Sequence, residues 1–362
     1  MRFKYATLVF FSCLWLIGFH AEVIASVNAE SNSVSDQSPN SKADTQTDTT
    51  TPTNKSAGIE NKFLMLQSFE PNTVGFRSDS NDVNYMDFKI SLKYPLFHQG
   101  VYDGSHTAAF GLPYFFFAFT GEWGQYIGTR DSSPVISKRF NPLLFGRYWL
   151  NSDKDYIDVT WYGHESNGQS INSYNLYRVQ ELEVAASGDD PLFTRDYISR
   201  GWDYLGIEWK KSRKSPSAQW SSYIKFRYFL DRGLMQGKME DYNPWEDYAR
   251  ACASNSSNDW TEAACKKADS DNQRQNFDGL SWLLKYESAY KNTWLTGNKL
   301  AIKYTTGYGA PLKHNTFRIE LTSTLLNLPV MVWAQTGYNS DLIDYYQNVD
   351  SFGIALELNN FL

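Results

Sequence analysis

The sequence predicts an all-β fold, a twelve-stranded antiparallel transmembrane β-barrel, and three observations support this prediction. Segments in which apolar and polar residues alternate recur along the whole chain. Aromatic residues make up 16% of the chain, which is high for a soluble domain, and they cluster near the ends of these segments. Long polar connections take turns with very short ones, as in barrels with long outward loops and short periplasmic turns. Because every backbone polar group must be paired within lipid, such a sheet has to close on itself.

The alternation assigns two faces to each predicted strand, because successive side chains of a strand point to opposite sides of the sheet. The clearest segment carries one apolar face, made of Met86, Phe88, Ile90, Leu92, Tyr94 and Leu96, opposite Asp87, Lys89, Ser91 and Lys93. The last segment repeats this pattern with Phe352, Ile354, Leu356 and Leu358. A soluble sandwich also alternates, with its apolar face inside. The recurrence along the whole chain and the pattern of connection lengths favour the membrane.

Twelve strands are predicted, and the even number places both termini on the periplasmic side. The predicted strands are 63–76, 84–96, 114–127, 140–149, 155–166, 200–211, 219–230, 279–290, 298–306, 315–325, 329–338 and 350–361. The phase of the alternation is imperfect in 140–149 and 155–166. The long connections predicted to face outward are 128–139, 167–199, 231–278, 307–314 and 339–349, with a further one at 77–83.

The first 58 residues are predicted to precede the barrel. Residues 1–25 have a short positive region, an apolar run and small residues at a cleavage site, as in a secretory signal peptide. Residues 26–58 are almost free of large apolar residues and are expected to form a disordered tether, because they bury too little surface to offset their ordering entropy. The barrel is therefore assigned to residues 59–362.

Charge and cysteine content narrow the class of protein further. The net charge of −6 argues against nucleic acid as the main partner. Cys13 lies within the signal peptide, so two cysteines remain after cleavage, Cys252 and Cys265. In an exported protein this pair is expected to form one disulfide that closes a polar loop.

The segment Tyr162-Gly163-His164-Glu165-Ser166-Asn167-Gly168 follows a predicted strand and carries the candidate chemistry. Residues two apart on a strand share a face, so His164 and Ser166 are expected to project side by side. A hydroxyl next to an imidazole supplies two parts of an activated serine nucleophile. His-x-Ser also occurs by chance in many proteins, and a merely polar strand end is the alternative.

Asp203 is the candidate for the third part of this constellation. It stands at the top of an otherwise apolar face made of Leu205, Ile207 and Trp209. An acidic residue on a lipid-facing wall is costly unless it has a partner, and an imidazole on the adjacent strand would supply one. Ser166, His164 and Asp203 would then be nucleophile, general base and orienting group. The alternative for Asp203 is a solvated carboxylate beside a loop.

These residues resemble the outer membrane phospholipase A family over most of residues 60–362. The matching segments are 88–96, 130–134, 162–168, 199–203, 336–338 and 341–345. The resemblance implies a twelve-stranded barrel in the bacterial outer membrane that hydrolyses acyl esters of phospholipids with A1, A2 and lysophospholipase activity. The predicted position of the site suits this substrate, because lipid ester bonds lie at the headgroup level.

The resemblance also assigns roles to residues of this chain. It makes Ser166 the nucleophile and His164 the base, while the family's third member is an asparagine where this chain has Asp203. It implies a calcium cofactor, with Ser132, Gln169 (through its backbone carbonyl) and Ser199 as metal ligands. It further implies a homodimer, which completes substrate pockets and calcium sites between two barrels.

Two other classes of protein compete with this interpretation. A non-catalytic barrel, a channel or an adhesin, could keep the same scaffold, but a channel needs an open lumen. The inward set mixes both signs of charge, which could pair and plug the lumen. A soluble secreted esterase would need a Gly-x-Ser-x-Gly elbow on an α/β pattern, and the sequence contains none.

Overall fold

The structure is a computed structural model and describes residues 66–80, 84–96, 113–128, 136–150, 155–236, 241–242, 246, 270–288, 296–326 and 328–358. Within these residues there are thirteen strands: β1 (Gln67–Ser68), β2 (Thr73–Asp79), β3 (Asn84–Pro95), β4 (Tyr114–Tyr126), β5 (Ile136–Trp149), β6 (Tyr156–Ser166), β7 (Gly201–Lys214), β8 (Ala218–Phe229), β9 (Gly279–Ser288), β10 (Thr296–Gly307), β11 (Asn315–Leu325), β12 (Leu328–Gly337) and β13 (Ser351–Glu357).

Strands β2 to β13 form a closed barrel of twelve antiparallel strands, so the predicted fold class is confirmed. Each strand pairs with the next along the chain, and β13 returns to pair with β2, for example at Ile354 and Phe76. Closure leaves the sheet without a free edge, which satisfies the backbone hydrogen bonds of every strand.

The first predicted strand, 63–76, is wrong in its bounds and continuity. The chain forms the two-residue β1, breaks at residues 69–72 and resumes as β2, while residues 63–65 lie outside the described residues. Pro71 has no N–H to donate to the ladder. The side-chain oxygen of Asn72 accepts the N–H of Ser91 at 2.6 Å, and thereby replaces the bond that a continuous strand would make.

The outer wall of the barrel is apolar, as the alternation predicts. Ile90, Phe117, Ile207, Ile224 and Phe352 each expose between 41% and 62% of their surface, although large apolar side chains are normally buried in a soluble fold. A closed barrel with such a wall fits the bacterial outer membrane, which is the predicted location. Among the described residues, no helix is both long and apolar enough to cross a membrane.

Strand β6 contains an irregularity that decides which way the candidate residues point. Val159 pairs with Ile207 of β7, but His164 pairs with Asp203, and the register shifts between Thr160 and Gly163. A bulge of this kind reverses the alternation of the strand. Odd-numbered residues face outward before the bulge, and even-numbered residues face outward after it. This is the physical reason for the imperfect phase of the predicted strand 155–166.

The interior of the barrel contains several ion pairs. These pairs are Lys89 with Glu70 and Glu122, Lys225 with Glu208, Arg318 with Glu320, and Lys299 with Glu357. A packed, mainly aromatic cluster lies at the barrel end where β6 ends and β7 begins. Its members are Trp202, Tyr204, Phe229, Tyr242, Phe277, Leu342 and Tyr345.

The predicted long connection 167–199 is ordered into helices that the sequence did not indicate. It contains an α-helix, Tyr174–Ala186, and a 3-10 helix, Pro191–Tyr197. Tyr177 of the α-helix packs against Ile171 and Ile198 at the base of the connection. Residues 1–65, Ser132, Cys252 and Cys265 lie outside the described residues, so the signal peptide, the tether and the disulfide stay predictions.

Candidate active site

The structure brings His164 and Asp203 together on the outer wall of the barrel. They face each other across β6 and β7, and His164 Nδ1 lies 2.6 Å from Asp203 Oδ1. This distance is that of a strong hydrogen bond with an ionised acceptor. Because Asp203 engages Nδ1, the other ring nitrogen, Nε2, is the one that can exchange a proton with a nucleophile.

Asp203 is fully buried, so it is not the solvated carboxylate of the alternative interpretation. The segment that follows β8 folds back and covers it. The backbone N–H groups of Met235 and Gln236 donate to Asp203 Oδ2 at 3.0 and 3.1 Å. Both carboxylate oxygens therefore have partners, which offsets the cost of burying the charge on a lipid-facing wall.

Ser166 is half-buried and lies two residues beyond His164 on the same outward face, because the bulge precedes both. It pairs directly with Gly201 of β7 and with Phe140 of β5. Gly201 has no side chain, and the carboxamide of Gln236 takes the space that a side chain would fill there. The outward face thus presents a hydroxyl, an imidazole and a carboxylate in the order that an activated nucleophile requires.

Glu165 lies between these two residues in the chain but points into the barrel. It is fully buried and forms ion pairs with Arg139 at 3.2 Å, Arg227 at 3.3 Å and Arg274 at 3.1 Å. Arg227 and Arg274 also pair with Asp278, at 2.5 and 2.7 Å. This network fixes the end of β6 from the inside, and so holds the outward-facing residues in place.

Asn167 joins the end of β6 to the segment that leads into β7. Its side-chain nitrogen donates to the carbonyl of Ile198 at 2.7 Å, and its side-chain oxygen accepts the N–H of Arg200 at 2.9 Å. Gly168 follows with a φ of +65°, a left-handed conformation that glycine adopts without strain. The chain then turns, and Gln169 also approaches the Asn167 oxygen through its N–H, at 3.4 Å.

These contacts place two of the three predicted metal ligands near the same strand end. Gln169 and Ser199 flank the segments that Asn167 ties together, while Ser132 lies outside the described residues. The backbone carbonyl of Gln169 and the hydroxyl of Ser199 are oxygen ligands, which suit a hard cation such as calcium. Among the described residues, no group of three or more His, Cys, Asp or Glu side chains is arranged to hold a metal ion. The predicted ligands belong to other residue types.

The sequence did not single out Gln236, Glu165 or Asn167. Gln236 lies at the start of a long predicted connection, where nothing in the local pattern indicates that the chain folds back over the barrel wall. Glu165 and Asn167 belong to the segment that drew attention to His164 and Ser166. Their signal was the polarity of that whole segment, since four consecutive charged or polar side chains at a strand end, residues 164–167, need partners.

Comparison with known proteins finds similar structures only. No protein-family profile and no curated protein matches the chain. Outer membrane phospholipase A from Escherichia coli is 15% identical, with a TM-score of 0.49 and coverage of 82% of this chain and 96% of that one. The dimer of that phospholipase from Salmonella typhi with bound calcium is 14% identical, with a TM-score of 0.48 and coverage of 82% and 94%. An outer membrane channel from Pseudomonas putida is 11% identical, with a TM-score of 0.33 and coverage of 82% and 96%.

The first two of these proteins belong to the family that the sequence motifs resemble. All three identities are low, and all three TM-scores fall below 0.5. The assignment of a closed barrel therefore depends on the strand pairing of this chain itself.

Proposed function

We propose that this protein is a calcium-dependent outer-membrane phospholipase that hydrolyses acyl ester bonds of glycerophospholipids. The observation that supports this best is the hydrogen bond between His164 and Asp203, on the same outward face as Ser166. A site on the outer wall near the strand ends meets the lipid at the depth of its ester bonds. A water-soluble substrate would not reach a site that faces the lipid.

The side chains have the roles of a serine hydrolase. His164 Nε2 takes the proton of the Ser166 hydroxyl while Oγ bonds to the acyl carbon of the ester. When the resulting intermediate collapses, the ester C–O bond breaks and the imidazolium returns the proton to the departing alkoxide. Water, deprotonated by the same imidazole, then bonds to the acyl carbon. The bond from that carbon to Ser166 Oγ breaks, the imidazolium returns the proton to Oγ, and the fatty acid is released. Asp203 orients the ring and stabilises the imidazolium throughout.

Calcium is proposed as the cofactor, held by Ser132, Ser199 and the backbone carbonyl of Gln169. A bound calcium ion would polarise an ester carbonyl and stabilise negative charge on its oxygen. A homodimer is proposed as the active form, because the predicted calcium site takes Ser132 from the second barrel. The exposed apolar outer wall gives two barrels a surface on which to meet in the membrane.

The proposal is tested by lipid hydrolysis with protein refolded in detergent micelles, in the presence of calcium or of a chelator. Fatty acid release is expected with calcium and not with the chelator, and Ser199→Ala is expected to need more calcium than the parent protein. A rate that the chelator leaves unchanged would remove calcium from the proposal. Absence of hydrolysis in both conditions, with a folded barrel, would remove the phospholipase.

The runner-up function is a channel or another non-catalytic barrel. The ion pairs between inward-facing charges and the aromatic cluster at the outer end weigh against an open lumen. Conductance across a planar bilayer discriminates the two functions. A steady open-channel current from protein that releases no fatty acid would favour the channel.

A further inference from the structure

Residues 230–236 form a covering segment that follows β8 and lies against the outer wall beside the candidate site. Leu230 N–H donates to the backbone carbonyl of Asp203 at 2.8 Å. At the other end of the segment, the N–H groups of Met235 and Gln236 donate to the Asp203 carboxylate. Met235 N–H also lies 2.8 Å from the Tyr162 hydroxyl oxygen. The segment is thus fixed at both ends, and position 236 is defined relative to the site.

Two glycines allow this close approach. A Cβ atom on Gly233 would overlap the Asp203 carboxylate, so any side chain at 233 would lift the segment away. A Cβ atom on Gly201 would overlap the carboxamide of Gln236, of which Oε1 is the nearest atom and Nε2 lies 3.1 Å away. Rotation about the last torsion of the glutamine side chain exchanges these two atoms, so the N–H group can face the same space. The Gln236 carboxamide therefore fills the space that a side chain at position 201 would take.

That space adjoins the nucleophile. Gly201 is the direct partner of Ser166 across the two strands. Side chains that face each other across antiparallel strands have Cβ atoms about 4.5–5.5 Å apart. The carboxamide of Gln236 accordingly lies within reach of an ester group bound at the Ser166 hydroxyl.

A carboxamide at this place has a defined chemical use. When Ser166 Oγ bonds to the acyl carbon, the carbonyl π electrons move to the carbonyl oxygen, which becomes an oxyanion. A neutral N–H donor that is already in position stabilises this charge without reorganisation. Its effect is larger where lipid excludes water. Leu234 and Met235, which are 89% and 61% exposed, present an apolar surface on the lipid side of the segment.

We propose that Gln236 is a catalytic residue, whose side-chain N–H donates to the carbonyl oxygen of the ester that Ser166 attacks. This inference rests on the proposed function, since it names one more group of the same site. The opposing interpretation is that Gln236 only packs against Gly201. The two interpretations predict different results for Gln236→Glu. The carboxylate of this variant fills the same space as the carboxamide, but it has no N–H to donate and it repels an oxyanion.

The experiment compares Gln236→Ala and Gln236→Glu with the parent protein in micelles of a short-chain phospholipid with calcium. Gln180→Ala, on the α-helix of the preceding loop, is the matched control. Loss of one oxyanion donor lowers kcat about 10²- to 10³-fold. Both Gln236 variants are expected to show this loss with little change in KM, and Gln180→Ala is expected to match the parent.

Further readouts make the result decisive. Heat-modifiable mobility on gels reports the folded barrel, and the rate of reaction with a fluorophosphonate reports attack by Ser166 on a centre that resembles the oxyanion. Slow labelling of folded Gln236→Ala and Gln236→Glu supports the proposal. Near-parental kcat in Gln236→Glu, or loss of the folded barrel in both variants, would overturn it in favour of packing. A parent protein that neither hydrolyses lipid nor is labelled would overturn the proposed function, and this inference with it.

Discussion

At the scale of single residues, the site depends on the hydrogen bonds that stabilise the buried carboxylate of Asp203. A carboxylate on the lipid-facing wall of a barrel is unfavourable unless hydrogen bonds replace water. Asp203 has the imidazole of His164 on one oxygen and two backbone N–H groups on the other. The residue is thus buried with its charge compensated, which is the condition for it to orient the imidazole.

Replacing Ser166 or His164 by alanine is expected to abolish ester hydrolysis while leaving a heat-modifiable barrel. The hydroxyl and the imidazole act as one unit, so the double variant should lose no more activity than either single variant. Fatty acid release and gel mobility are the measurements. Full activity in Ser166→Ala would contradict the assignment of the nucleophile.

Substitutions of Asp203 are expected to separate charge from orientation. A carboxylate at hydrogen-bonding distance orients the ring and stabilises the imidazolium that forms when the ring takes the serine proton. Asp203→Asn removes the charge but keeps an acceptor that orients the ring, so reduced but substantial activity should be left. Asp203→Ala keeps neither and should lose more. Fatty acid release is the measurement, and an alanine variant with the parental rate would show that another residue orients the ring.

At the scale of elements, the covering segment 230–236 and the bulge in β6 place the site. The bulge turns His164 and Ser166 outward, and the covering segment closes over the carboxylate that faces them. Neither the bulge nor the covering segment is regular β structure. Irregular backbone of this kind often accompanies functional sites, because it directs a side chain where a regular strand would not.

Gly233→Ala tests the covering segment. The added Cβ would overlap the Asp203 carboxylate, so the segment has to move outward and the two N–H donors leave Asp203. A displacement of about 1 Å in a catalytic arrangement costs about 10²-fold in rate. Arg232→Ala, at the exposed neighbouring position, is the control and should stay near the parental rate. Equal kcat values in the two variants would show that the segment does not hold Asp203 during catalysis.

At the scale of the whole molecule, the barrel joins an apolar exterior to an interior of paired charges. Glu165 is the centre of an interior network of charges, with three arginines around it. A buried charge that loses its partner is far more costly than the pair is favourable. The interior network and the outward site share the end of β6, so the stability of one supports the geometry of the other.

Glu165→Gln is expected to lower the free energy of unfolding by about 3–5 kcal/mol, because three interior guanidinium groups lose the carboxylate that they share. Urea unfolding in lipid vesicles, followed by tryptophan fluorescence, measures the change. Glu287→Gln, at an exposed position of β9, is the matched control and should change little. Similar values for the two variants would mean that the remaining carboxylates, such as Asp278, which already pairs with Arg227 and Arg274, compensate for the loss of Glu165.

The sequence by itself determined the fold class, the approximate strands and the pairing of His164 with Ser166 on one face. These follow from a local rule, because a strand between lipid and lumen has to alternate with a period of two. The sequence also pointed to Asp203, since a charge on an apolar face needs a partner. The catalytic roles and the calcium ligands stay predictions.

Only the tertiary structure decided which way that face points and what closes over it. The bulge between Thr160 and Gly163, the register that sets His164 opposite Asp203, and the return of Gln236 onto Gly201 all involve chain segments that are distant in sequence. The physical reason is that strand register and loop docking are set by contacts across the barrel. No local pattern of apolar and polar residues encodes such contacts.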